Sequence, residues 1–120
     1  MRMRTDMDKK ISVSIMCVDF FKLEECIKTL EEQCIDLIHV DIMDGSLVPN
    51  FTLGTDFVKA LKANTTIPLD IHLMVENPEN KLDWFKFGEG DYVSVHYETA
   101  KHLHKAIAAI KAKGAKAMVA

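Results

Sequence analysis

Short apolar runs alternate with amphipathic stretches along this chain, and the two periods separate strands from helices. The run at 11–16 predicts a first strand. From 22 to 33, Leu23, Ile27 and Leu30 recur at helical spacing on one face, and Cys26 and Cys34 extend that face as small core residues. The run at 35–42 predicts a second strand, followed by a loop with the breakers Gly45, Pro49 and Asn50. Phe57, Val58 and Leu61 mark a second helix, and 69–75 a third strand. Asn77 and Pro78 read as an N-cap with proline in the first turn of a helix running to Phe87, where Gly88 supplies a C-terminal glycine. Trp84, beside Phe85 and Phe87, is expected to pack that helix on the sheet. A fourth strand follows at 92–95. A fourth helix spans 100–113, with Leu103, Ile107 and Ile110 inward and Gly114 after it, and a fifth apolar run begins at 116.

Strands alternating with helices imply parallel pairing through right-handed crossovers. Strands that are apolar nearly throughout fit a sheet covered on both faces. This pattern alone leaves two architectures open, a doubly wound open sheet and part of a barrel. The repeat of strand plus helix is architectural, and no linker or low-complexity segment interrupts it.

Composition narrows the class. The 120 residues are 48% hydrophobic and 28% charged, which is the make-up of a folded domain rather than a disordered chain. A net charge of -3 gives no basic footprint for nucleic acid. Residues 1–10 form a polar N-terminal tail in which Arg2, Arg4, Lys9 and Lys10 are interrupted by Asp6 and Asp8. That tail lacks the apolar core of a signal peptide, and no apolar run approaches the roughly 20 residues that cross a bilayer. Cys17, Cys26 and Cys34 are odd in number and lack CxxC spacing, which argues against a disulfide framework or a zinc finger and for a reduced, cytoplasmic setting.

Chemistry concentrates at two strand ends. In a strand alternate side chains share a face, so His39, Asp41 and Met43 point one way and Val40 and Ile42 the other. In the third strand Asp70, His72 and Met74 share a face. Two imidazoles and a carboxylate converging at the C-terminal ends of adjacent parallel strands make a plausible site for zinc, iron, manganese or cobalt. Barrel enzymes hold their active sites at that end. The plainer reading treats either histidine alone as a hydrogen-bonded core residue, Met43 and Met74 as core filler, and Asp44 and Asp70 as partners of loop or backbone donors. His96 could face the site, although a structural role is the simpler one, and His102 and His104 read as ordinary helix residues.

The stretches HVDIMDGSLVPNFTLG (39–54) and LDIHLMVENPE (69–79) resemble the two strong signatures of the ribulose-phosphate 3-epimerase family. VSIMCVDF (13–20) and VSVHYETAKHLHKAIAAIKAKGAKA (93–117) match it in order and spacing. The resemblance implies a (β/α)8 barrel, of which 11–120 would be the N-terminal half, from the first strand to the start of the fifth. It implies an isomerase of pentose phosphate metabolism that inverts carbon 3 of a phosphorylated ketose, D-ribulose 5-phosphate to D-xylulose 5-phosphate, through a 2,3-enediolate. By the same resemblance His39, Asp41 and His72 match metal ligands, and Asp41 also matches a catalytic acid/base. Ser14, His72, Met43 and Met74 match residues that contact substrate. One divalent ion, zinc first and iron, manganese or cobalt as alternatives, would stabilise the developing charge. A homo-oligomer is the expected assembly.

Three departures bear on this. Val13 stands where the family has proline, Ser46 where it has histidine, and Met16-Cys17 resembles the related D-allulose-6-phosphate 3-epimerases, so a ketohexose phosphate is an alternative substrate. A (β/α)8 barrel takes about 250 residues. The family's second catalytic aspartate and its glycine-rich phosphate loops lie on later strands. A non-catalytic half-barrel with a metal or ligand patch is therefore the remaining alternative.

Overall fold

A computed structural model describes residues 9–120; positions 1–8, and with them most of the polar tail, lie outside the described residues. Five strands form one sheet: β1 Ser12–Ser14, β2 Leu37–Met43, β3 Leu69–Met74, β4 Tyr92–Val95 and β5 Lys116–Val119. Their order is β1-β2-β3-β4-β5 and every neighbouring pair is parallel. A doubly wound sheet reverses its strand order at a switch point. Five consecutive strands without a reversal are instead successive staves of a (β/α)8 barrel.

The connecting helices are α1 Leu23–Glu32, α2 Thr55–Asn64 and α3 Leu103–Ala112. Ile38, Val40, Leu69, Ile71, Leu73, Val93 and Val95 are all at most 2% exposed and form the core layer with Ile27, Leu30, Val58, Leu61, Ala106 and Ile110 of the helices. Each of the valine, leucine and isoleucine side chains among them contributes about 1.5–3 kcal/mol through burial. Because side chains alternate along a strand, this layer leaves His39, Asp41, Asp70 and His72 on the opposite face, which is a barrel's interior.

The helix expected between Asn77 and Phe87 is absent. The segment makes two single 3₁₀ turns, Pro78–Asn80 and Leu82–Trp84. Asn77 does not cap them: it sits in the left-handed region at φ 48 and its side chain makes no cap hydrogen bond. Buried Leu82, Phe85 and Phe87 are spaced three and then two apart, which suits a 3₁₀ turn followed by extended chain rather than a 3.6 period. Lys113 Nζ donates to the Leu82 and Phe85 carbonyls, taking up acceptors that a longer helix would use. Trp84 consequently points outward and is 62% exposed, not packed on the sheet. Gly88 does not adopt the positive φ of a helix-ending glycine, whereas Gly114 does, at 86°.

Cys34 also departs from expectation. It is exposed, with φ 54, beyond the end of α1. Its N–H donates to the Glu31 carbonyl and that of Ile35 to Leu30, the paired bonds of a Schellman cap whose left-handed position normally holds glycine. Cys34→Gly is therefore expected to stabilise the protein by about 0.5–1 kcal/mol, since relief of the left-handed strain exceeds the entropy glycine costs. An unchanged or lower urea midpoint would refute this.

Candidate metal centre

Register builds the centre. Within the β2–β3 ladder His39 lies beside Asp70, Asp41 beside His72 and Met43 beside Met74. The polar pairs therefore occupy successive rungs of one face, and the two methionines close the layer above them. Met43 and Met74 are buried, at 8% and 7% exposure. Ser14, an exposed residue, lies beside His39 in the β1–β2 ladder, and its Oγ accepts from the Met16 N–H. The structure thus brings all the residues singled out for substrate or metal contact to the same interior face, with Asp41, Met43, His72 and Met74 in the C-terminal halves of their strands.

One carboxylate oxygen is the focus. Asp41 Oδ1 lies 3.0 Å from His39 Nε2 and 3.1 Å from His72 Nδ1. Ligand atoms of His39, Asp41 and His72 all fall within 4.8 Å of one another. Each of the three side chains is mostly buried, which keeps competing water low.

Asp70 does not serve backbone or loop donors. Its Oδ2 lies 2.7 Å from His39 Nδ1 and accepts from the Ser12 hydroxyl at 2.9 Å. Hydrogen bonding to Asp70 raises the His39 pKa, against burial, with the charges of Asp70 and Asp41 adding to the rise. Burial pushes Asp70 up, but its bonds from His39 and Ser12 more than offset this, so its pKa lies below the ordinary carboxylate value. Burial lowers the His72 pKa, which the Asp41 hydrogen bond only partly opposes.

This donor set fits a divalent ion. Asp70, ionised, can only accept, so it holds the Nδ1 proton of His39 and leaves Nε2 as a lone pair aimed at the centre. A carboxylate behind a histidine ligand is the usual way of fixing its tautomer and raising its basicity. Two imidazole nitrogens and one carboxylate oxygen match zinc, and also iron, manganese or cobalt.

The loop after β2 is tied down beside the centre. Met43 N–H donates to Thr52 Oγ1, whose hydroxyl donates to the Asp41 carbonyl, both at 2.8 Å. Asp44 gathers the Ser46 N–H and hydroxyl, the Glu76 N–H and the Lys81 ammonium, the loop-and-backbone role expected of it. Desolvation opposes its ionisation, yet these donors hold its carboxyl well below the usual range. Ser46 thus spends its hydroxyl on Asp44.

His96, which could face the site or play a structural role, lies against His72. Its Nε2 lies 2.7 Å from His72 Nε2, and its Nδ1 3.1 Å from Glu98 Oε1. Asp70 was open to detection as the residue that shares a strand face with His72. His96 and Glu98 lie past the end of β4 and carry no strand period.

Comparison with known proteins identifies the family. The family profile described as "Ribulose-phosphate 3 epimerase family" matches residues 10–120. Ribulose-phosphate 3-epimerase of Bacillus subtilis (strain 168) is 44% identical over 110 residues, covering 92% of this chain and 51% of the relative. The chloroplastic ribulose-5-phosphate-3-epimerase of Arabidopsis thaliana is 46% identical over 111 residues, 91% of this chain and 40% of the relative. Ribulose-phosphate 3-epimerase of Methanocaldococcus jannaschii is 43% identical over 111 residues, 92% and 47% respectively. The chain spans about half the length of the curated relatives it matches.

Proposed function

The chain belongs to the ribulose-phosphate 3-epimerase family, and from that premise we propose that the complete protein interconverts D-ribulose 5-phosphate and D-xylulose 5-phosphate by inverting carbon 3. The observation that carries the proposal is the convergence of His39 Nε2, Asp41 Oδ1 and His72 Nδ1 at the C-terminal end of parallel barrel strands.

The chemistry accounts for these residue types. The proton on carbon 3 is acidified by the neighbouring ketone, and its removal gives a 2,3-enediolate. A divalent ion held by His39, Asp41 and His72 supplies Lewis-acid stabilisation of the developing negative charge. The hydrogen bonds of Asp41 to side chains fall on Oδ1, so Oδ2 is the atom assigned to proton transfer with carbon 3. Positioned acid/base groups contribute about 10²–10⁴-fold. Met43 and Met74 wall the reacting carbons with polarisable, donor-free surface, while Ser14 and His72 contact the sugar oxygens. Inversion needs a second acid on the opposite face of carbon 3, which the proposal assigns to the part of the barrel beyond residues 11–120. No helix among the described residues is long and apolar enough to cross a membrane.

Thorough chelation of the complete protein is expected to lower the interconversion rate at least about a hundredfold, with recovery on adding a divalent ion. A rate indifferent to chelation would sink the metal role of His39 and His72.

A further inference from the structure

The contacts behind His72 have a direction that proton counting reveals. Glu98 Oε1 lies 3.1 Å from His96 Nδ1, and an ionised carboxylate can only accept, so Nδ1 carries a proton. Its own backbone N–H, followed by the His96 ring, holds the Glu98 carboxyl below its ordinary value. A neutral imidazole has one ring proton, so His96 Nε2 is a lone pair. His72 Nε2 lies 2.7 Å from it and must therefore donate. The ring planes are within 20° and the centroids 4.9 Å apart, so the rings meet edge to edge, the arrangement in which a ring N–H points at a lone pair. His72 Nδ1 is then bare, 3.1 Å from Asp41 Oδ1. With both rings neutral, two acceptors face each other there, and a cation between them turns the contact into an attraction.

We propose that Glu98 and His96 are positioning residues for the metal centre: Glu98 fixes the His96 tautomer, and His96 fixes His72 with Nδ1 free for the ion. The inference rests on the metal-centre reading above and extends it. His39 and His72 are then each backed by a carboxylate, Asp70 directly and Glu98 through a second imidazole. The relay is anchored from below, because the His96 carbonyl accepts from the Thr99 N–H and hydroxyl, and the Thr99 carbonyl accepts from the Asn77 N–H.

The test titrates the metal-stripped complete protein with cobalt(II), followed by visible absorption, and with zinc in competition. Glu98→Ala is expected to weaken binding about 10–100-fold and to alter the cobalt bands, the usual effect of losing a partner behind a ligand. Glu98→Gln, whose amide oxygen still accepts, is expected to restore affinity to within about threefold of the parent. Glu98→Met, similar in volume but without an accepting oxygen, is expected to bind as weakly as Glu98→Ala, whereas a purely packing role would let it bind as Glu98→Gln does. Glu98→Ala binding as tightly as the parent, while His39→Ala has lost the metal, would overturn the relay alone. If His39→Ala also binds as the parent does, the metal centre itself is refuted. A second readout needs no metal: long-range proton–nitrogen NMR at alkaline pH should find His72 as the Nε2–H tautomer. An Nδ1–H tautomer would overturn the proposal.

Discussion

Replacing Asp41 with Asn is expected to lower epimerisation by the complete protein at least about a hundredfold while leaving it folded. Two losses combine. The amide cannot accept a proton from carbon 3, which removes the base assigned to one face of the substrate. It also loses the charge on which two imidazole nitrogens converge, at 3.0 and 3.1 Å, so the ion is held more weakly. The fold should survive because the β2 backbone, not the Asp41 side chain, carries the ladders to β1 and β3, and Asn is nearly isosteric. The check is turnover of ribulose 5-phosphate at saturating metal, with circular dichroism as the control for folding. Supplying excess ion separates the two losses, since it restores occupancy but not proton transfer. Activity above a tenth of the parent's under those conditions would remove Asp41 from the acid/base role.

The centre was legible where a single strand's alternation was enough. His39 and Asp41 are two apart, as are Asp70 and His72, so each pair had to share a face whatever the register. The register itself was not legible. Only the pairing of His39 with Asp70 and of Asp41 with His72 turns Asp70 into the partner of His39 and Asp41 into the shared focus. His96 and Glu98 were harder still, because their place depends on a turn beyond β4.

The same distinction explains the fold. Element order was readable because α1, α2 and α3 carry apolar residues at helical spacing. The choice between barrel and open sheet was not readable from periodicity, since both alternate strand and helix, and it needed the strand order. The segment after Asn77 misled because proline and a terminal glycine are shared by helices and by short 3₁₀ turns. Contacts from Lys113, distant in sequence, decided between them.

Asp91 is where the largest loss of stability is expected. Asp91→Ala should destabilise the complete protein by about 3–5 kcal/mol, the range for breaking a buried ion pair from one side. Asp91 is fully buried, and its carboxylate accepts from Lys62 Nζ at 2.8 and 3.0 Å, from the Leu69 N–H at 2.8 Å and from the Gly88 N–H at 2.9 Å. It thereby joins the last turn of α2, the first residue of β3 and the approach to β4 at the N-terminal end of the strands. Alanine would leave a partly buried ammonium and two backbone donors without their acceptor, and leaving buried donors unpaired costs more than the bonds were worth. Asp91→Asn keeps an acceptor and should cost less, whereas Lys62→Met, which leaves a fully buried carboxylate without its cation, should fall in the same range as the alanine variant. Because a domain's whole stability is about 5–15 kcal/mol, the alanine variant should unfold at markedly lower urea. Its folded fraction should bind cobalt as the parent does, since the metal centre sits at the opposite ends of the same strands. A cost below about 1 kcal/mol would mean that the pair acts like an exposed one and that the hub contributes little.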